Sequence, residues 1–224
     1  MATQRFINYN KNRKGKSRLN RHPIPFERWN TALVSLVGHL IFDGEIKHGG
    51  CVYTNRSLAL LKHVNACMQT IYPFTPKRYE SLPGVHKIGY HNVELNKFFK
   101  SKARELLVEA KGMEHELQRS FLRAFFDDEG SVYFIGNRRA VRGYQHNKNI
   151  LHLIQHLLKN FGVESKVDIT YNEITITRKE NIARFSQEIN FSKGLRINGN
   201  RSNSIWKKSL EKRELLRRAL ASYR

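Results

Sequence analysis

The sequence predicts an α+β protein made by duplicating one α-β-β-α-β-β-α unit, and three observations carry that prediction. Helix-period apolar stretches alternate with short strand-like runs in the same order twice along the chain. Landmarks recur at nearly constant spacing: Asp43 and Glu129 lie 86 residues apart, Asn55 and Gln145 90 apart, and Leu95-x-x-Phe98 matches Ile182-x-x-Phe185 at an offset of 87. Similar offsets at three separate landmarks mark an internal repeat. In both halves, a helix that ends in an acid and a glycine leads straight into a strand pair, Asp43-Gly44 in one and Glu129-Gly130 in the other.

The elements follow in order. Residues 1–25 form a basic N-terminal arm, 26–112 the first repeat, 113–192 the second, and 193–224 a basic C-terminal extension. The segment 1–22 is so poor in apolar residues that it reads either as a disordered tail or as an arm lying on DNA phosphates. Pro23 and Pro25 precede a helix expected from Phe26 to Phe42, with Trp29, Leu33, Leu36, Val37, Leu40 and Ile41 at helical spacing and Gly44 as its C′ glycine. A hairpin follows, Glu45–Lys47 and Cys51–Thr54 around His48-Gly49-Gly50. Ser57 caps a helix carrying Leu60, Leu61, Val64, Met68 and Ile71. Strands at Arg78–Glu80 and Val85–Tyr90 and a helix from Asn92 complete the unit.

The second unit repeats this order. A helix spans His115 to Asp128, strands lie at Ser131–Ile135 and Ala140–Tyr144, and Asn147 caps a helix that Gly162 stops. Ser165–Thr170 and Glu173–Thr177 pair around Tyr171-Asn172, and a last helix carries Ile182, Phe185 and Ile189. Trp206, Leu210, Leu215, Leu216 and Leu220 place a further basic helix in the extension.

Composition narrows the partner. With 40 Lys+Arg against 19 Asp+Glu the formal net charge is +21, and such a field favours a polyanion, most often nucleic acid. No apolar run approaches a membrane span, and the basic N-terminus has no apolar core of a secretory signal. Two cysteines, Cys51 and Cys67, make neither a disulfide framework nor a zinc site. An intracellular compartment, cytoplasmic or nucleoid-associated, fits these features.

The two helix ends read Leu36-Val37-Gly38-His39-Leu40-Ile41-Phe42-Asp43-Gly44 and Leu122-Arg123-Ala124-Phe125-Phe126-Asp127-Asp128-Glu129-Gly130. The sequence here resembles the LAGLIDADG homing endonuclease family in its single-chain, two-motif form. The first copy keeps Leu, Gly, Asp and Gly at motif positions one, three, eight and nine; the second keeps Leu, Asp and Gly at one, six and nine, with Ala124 at three and Glu129 at eight. The resemblance covers roughly residues 26–190.

The acid that matters follows from helix geometry alone. Residues at i, i+3, i+4 and i+7 share a face, so Leu36, Leu40 and Asp43 lie on one stripe and Leu122, Phe125, Phe126 and Glu129 on another. Asp127 and Asp128 fall off that stripe and read as helix-end polar groups. Gly38 and Ala124 are small enough for helices to approach closely; if the two stripes face each other, Asp43 and Glu129 end side by side. Paired carboxylates at the negative ends of two helices repel, and divalent cations such as Mg²⁺ relieve that repulsion while holding a phosphate.

The resemblance implies more. Two curved antiparallel sheets would form a DNA-binding saddle, with the two motif helices at a central pseudo-twofold axis. The penultimate acids Asp43 and Glu129 would bind two or more Mg²⁺ ions, with Mn²⁺ able to substitute, joined by the backbone carbonyls of Phe42 and Asp128. Asn55 and Gln145 at the ends of the second strands would complete each site, with a basic residue near the end of each fourth strand: His91, and Arg178 or Lys179. Alternating strands would present Arg138, Arg139, Arg142 and Gln145, and Lys47, His48, Arg56, Arg78 and Lys87, to phosphates and base edges.

These features point first to a monomeric, intron-encoded type of site-specific double-strand DNA endonuclease with a long asymmetric target. A binding module of the same fold is the alternative, either an intron maturase on RNA or a DNA-binding regulator with little or no cleavage. A protein-splicing fragment is disfavoured because no splicing-domain segments flank the repeat. Glu129 carries one methylene more than Asp, which predicts unequal cutting of the two strands, and the departures at Ile41, Ala124 and Glu129 leave nicking open.

Overall fold

The structure, a computed structural model, describes residues 28–47, 49–72, 75–197 and 209–223. The N-terminal arm 1–25, the expected helix start at Phe26, His48 and Trp206 lie outside the described residues. The chain divides into two units, Met1–Leu106 and Leu107–Arg224. The division falls inside a helix, not at residue 112.

In the first unit, α1 (Thr31–Phe42) leads into β1 (Gly44–Lys47) and β2 (Gly50–Asn55), then α2 (Leu58–Ile71), β3 (Lys77–Leu82), β4 (Val85–Tyr90) and α3 (Val93–Glu109). The first helix begins at Thr31 because Asn30 caps it, its Oδ1 accepting the Leu33 N–H at 2.9 Å. Ser57 caps α2 as expected, and Asn92 caps α3 through the Leu95 N–H at 3.0 Å. The strands form one antiparallel sheet in the order β1-β2-β4-β3. Ser81 and Leu82 extend β3 beyond the expected end, with a bulge between Glu80 and Leu82, which leaves Pro83-Gly84 as the turn.

The second unit begins with a short 3₁₀ turn (Ala110–Gly112), followed by α4 (His115–Glu129), β5 (Gly130–Ile135), β6 (Arg138–Tyr144), α5 (Lys148–Asn160), β7 (Lys166–Asp168), β8 (Glu173–Ile176) and α6 (Lys179–Glu188). Its sheet order is β5-β6-β8-β7, the same topology as the first. Asn147 caps α5 and Gly162, at φ +65°, ends it. Buried Gln118 ties the linker to α4, its amide donating to the carbonyls of Ala110, Lys111 and Met113. A terminal helix, α7 (Lys212–Ala221), packs against α6 and β5.

Register makes the duplication exact at residue level. Gly44 pairs with Tyr53 in the first sheet and Gly130 with Gly143 in the second. Val52 pairs with Gly89, and its counterpart Arg142 with Thr175. Each sheet buries one face under its helices: Cys51, Tyr53, Ile88 and Tyr90 in the first, Val132, Val141, Ile174 and Ile176 in the second. Cys51 and Cys67 are free buried thiols, and burial pushes them up to about 12 and about 11.

Candidate metal and nucleic-acid site

Asp43 and Glu129 occupy equivalent helix ends. Asp43 is the C-cap of α1, its N–H bonded to the His39 carbonyl at 3.1 Å, and Glu129 is the last residue of α4. Both are half-buried. The glycine after each has a steric reason that differs from the expected left-handed C′ glycine: neither is among the positive-φ glycines. A Cβ on Gly44 would lie 2.4 Å from Leu40 Cα, and one on Gly130 2.2 Å from the Phe126 oxygen. The strand leaves so close to the last helical turn that only hydrogen fits. Motif position nine therefore fixes where the acid before it sits.

In the first unit the acid is tied to Asn55. Asn55 Nδ2 donates to Asp43 Oδ2 at 2.9 Å and to the Tyr53 hydroxyl at 3.0 Å, while its Oδ1 accepts the Ser57 N–H at 2.8 Å. The structure thus brings Asp43 and Asn55 together. Gln145 repeats the carbonyl half of this arrangement, its Oε1 accepting the Asn147 N–H at 3.1 Å.

The expected basic residues do not join the acids. Asn55 pairs with His86, and Tyr90 with Cys51 four residues earlier on β2, so His91, one residue further, lies roughly 16 Å along the sheet from the Asn55 end. It stacks instead near the exposed edge residue Tyr79, at 6.2 Å between ring centroids. The same register separates Arg178 and Lys179 from Gln145, because Val141 pairs with Ile176. Arg178, at φ +66°, and Lys179 are exposed at the start of α6. The fourth strand runs away from the Asn55 end, so its first residues, His86 and Lys87, are the ones paired there, with Asn55 and Thr54. Alternation alone, without register, could not tell which end that was.

Asp127 also departs from expectation. It is buried, not a solvated helix end, and its carboxylate accepts from the Ser192 N–H at 2.8 Å and hydroxyl at 2.5 Å. Beside it, buried Lys212 donates from Nζ to the carbonyls of Asp127 at 2.9 Å, Gly130 at 2.6 Å and Phe126 at 3.4 Å. The C-terminal extension thus supplies a cation to the negative end of the second motif helix. Nothing in the local sequence pairs residue 127 with residues 192 and 212, so this clamp was invisible there. We expect Lys212→Met to lower the stability of the full chain by about 2 kcal/mol, since charged hydrogen bonds to a helix end are lost; unchanged urea unfolding would refute the clamp.

Paired residues share a sheet face. Register puts Lys47, Lys77, Tyr79 and Lys87 on the face of the first sheet turned from its helices, and Arg138, Arg142, Tyr133, Tyr144 and Lys166 on that of the second. Lys77, Lys166 and the tyrosines were missed because no local pattern marks them. Lys47 pairs with Glu45 at 2.9 Å, and Arg142 binds Glu173. Arg56 is exposed just past β2. Arg78, paired with Ile88, falls on the opposite face at an exposed edge. Arg139 is a correction: it faces the helices, bonds Ser222 Oγ at 2.6 Å, and lies between the rings of Phe134 and Tyr223. Adjacent strand residues point oppositely, so Arg138 and Arg139 cannot both reach outward.

Residues 116–190 match the LAGLIDADG-like domain family. Among solved structures, the chain resembles the homing endonuclease I-DmoI in complex with DNA and Mn, with TM-score 0.55 and 18% identity over 72% of this chain and 98% of that one. It is equally like the N-terminal LAGLIDADG domain of DUF199/WhiA, with TM-score 0.54 and 18% identity over 76% of this chain and 88% of that one. The replication factor C small subunit of Thermococcus kodakarensis is 27% identical over 71% of this chain, which spans 20% of that relative's length. Residues 116–190 are thus a LAGLIDADG-like domain, and the chain shares the fold of these LAGLIDADG proteins.

Proposed function

We propose that this chain is a divalent-metal-dependent, site-specific double-strand DNA endonuclease that works as a monomer inside the cell. The observation that supports it best is the matched pair of carboxylates, Asp43 and Glu129, each held at a helix end by a glycine that tolerates no side chain. Their donor chemistry fits Mg²⁺ or Mn²⁺: carboxylate oxygens beside the backbone carbonyls of Phe42 and Asp128 are hard ligands. Bound there, the ion would supply charge stabilisation and an acidified water for phosphodiester hydrolysis. I-DmoI has been solved with DNA and Mn and with DNA and Ca. Asn55 orients the Asp43 carboxylate, and the outward lysines and arginines of both sheets hold the phosphates. One chain carrying two unequal units implies a long, asymmetric target.

A second reading, a DNA-binding domain of this fold with little or no cleavage, is favoured by the equal likeness to WhiA. One experiment separates the two. The chain is incubated with a randomised duplex library in Mg²⁺ or Mn²⁺, and bound and cut molecules are sequenced. Sequence-selective cleavage is expected; selective binding without cleavage in either metal would leave only the second reading. Under both readings the affinity falls steeply with salt, by a log–log slope near 0.9 per neutralised phosphate. An affinity flat between low and moderate salt would contradict phosphate contacts by the sheet faces.

A further inference from the structure

A chain of polar groups lies behind Asp43 in the first unit. The Asn55 amide that holds Asp43 Oδ2 at 2.9 Å is itself held by the fully buried Tyr53 hydroxyl at 3.0 Å. The Tyr53 ring packs edge-on against His39, buried one turn before Asp43 on α1, with centroids 5.4 Å apart. His39 meets His63 at 5.5 Å, and His63 Nε2 lies 2.8 Å from Ser35 Oγ.

The duplication offers an internal comparison. By the register equivalences, His39 corresponds to Phe125 and Tyr53 to Gly143, while Ser35 and His63 correspond to Phe121 and Leu153. The exchange is complementary in shape. A Cβ on Gly143 would lie 2.4 Å from Phe125 Cε1, so the Phe125 ring fills in the second unit the space that Tyr53 takes in the first. The same fold is therefore packed apolar in one unit and polar in the other. Packing does not require buried hydroxyl and imidazole groups, which lose hydration when buried. They are explained if they act on the group at the end of the chain, the Asp43 carboxylate.

We infer that Tyr53, backed by His39, is a positioning residue that locks the Asn55 amide and through it the Asp43 carboxylate, a device the Glu129 half-site does not share. Both Asn55 amide hydrogens and its carbonyl are engaged, which removes the side chain's freedom to flip. The inference rests on the metal-dependent nuclease reading for its effect on cleavage, but the network itself does not.

The test is Tyr53→Phe in the full chain, with His39→Phe/Tyr53→Gly as a second variant that copies the second unit's packing and so keeps the core filled. With a duplex recovered from the library, strand-resolved cleavage in Mn²⁺ is expected to slow by about 10-fold or more on one strand and less than about 2-fold on the other, the size of effect typical of an outer-shell partner. In metal-free protein, nitrogen-15 NMR is expected to show the two Asn55 side-chain amide protons shifting and exchanging faster in both variants. Equal slowing of both strands, or of neither, overturns the positioning role. Should the unmutated chain cut neither strand, the nuclease reading fails; the amide signals then decide the network alone, and unchanged Asn55 resonances in Tyr53→Phe overturn it.

Discussion

Asp43→Asn is expected to reduce metal-dependent cleavage by more than about 100-fold while leaving DNA affinity equal or higher. The size follows from rank: loss of an outer-shell partner typically costs 10–100-fold, and Asp43 is proposed to touch the ion itself. The substitution is nearly isosteric, so the Asn55 contact at Asp43 Oδ2 and the cap at the end of α1 keep their shape. The affinity prediction has a definite sign. A carboxylate facing a phosphate backbone repels it when no cation intervenes, so removing the charge cannot weaken binding electrostatically. Glu129→Gln should behave alike, and Asn55→Ala should fall between these and the wild type. Strand-resolved cleavage and filter binding on the same duplex check all three. Cleavage that survives both acid substitutions would show that the carboxylates are not the metal ligands.

The duplication and the two acids were legible because they are encoded locally. Caps at Ser57 and Asn147 and the Gly162 stop are short-range devices, and each appears where the pattern put it. The stripe argument set Glu129 apart from Asp127, but it could not foresee that Asp127 is buried against Ser192. That contact, like the Lys212 clamp, joins residues more than sixty positions apart. Register was the other missing quantity. Composition and alternation nominate every basic strand residue, whereas pairing decides that Arg139 packs inward and that His86 and Lys87 lie beside Asn55 while His91 does not. The Tyr53 network was hidden for a related reason. A tyrosine and a histidine in apolar runs look like ordinary core until Asn55 is seen between the hydroxyl and the acid.

Gly130→Ala is expected to destabilise the second unit by about 3 kcal/mol or more, at the upper end of overpacking costs. The added Cβ would meet the Phe126 oxygen at 2.2 Å, its Cα at 2.8 Å and its carbonyl carbon at 2.9 Å. All three are backbone atoms of the last helical turn, so no rotamer change relieves the clash; either α4 unwinds or β5 shifts. Shifting β5 would break its pairing of Gly130 with Gly143 and pull against the Lys212 bond to the Gly130 carbonyl. Gly44→Ala should act similarly in the first unit, with Leu40 Cα at 2.4 Å and its oxygen at 2.6 Å. Two glycines serve as controls of different kind. Gly84 has open space around a Cβ but φ +72°, so Ala there should cost about 1–2 kcal/mol from backbone conformation alone. Gly112 has neither constraint, and Ala there should be close to neutral. Urea unfolding of the four variants should therefore order them with the motif glycines least stable, Gly84→Ala between, and Gly112→Ala nearest the wild type. A Gly130→Ala protein as stable as Gly112→Ala would mean that the strand does not leave the helix where the geometry puts it, and with that the fixed placement of Glu129 would fall.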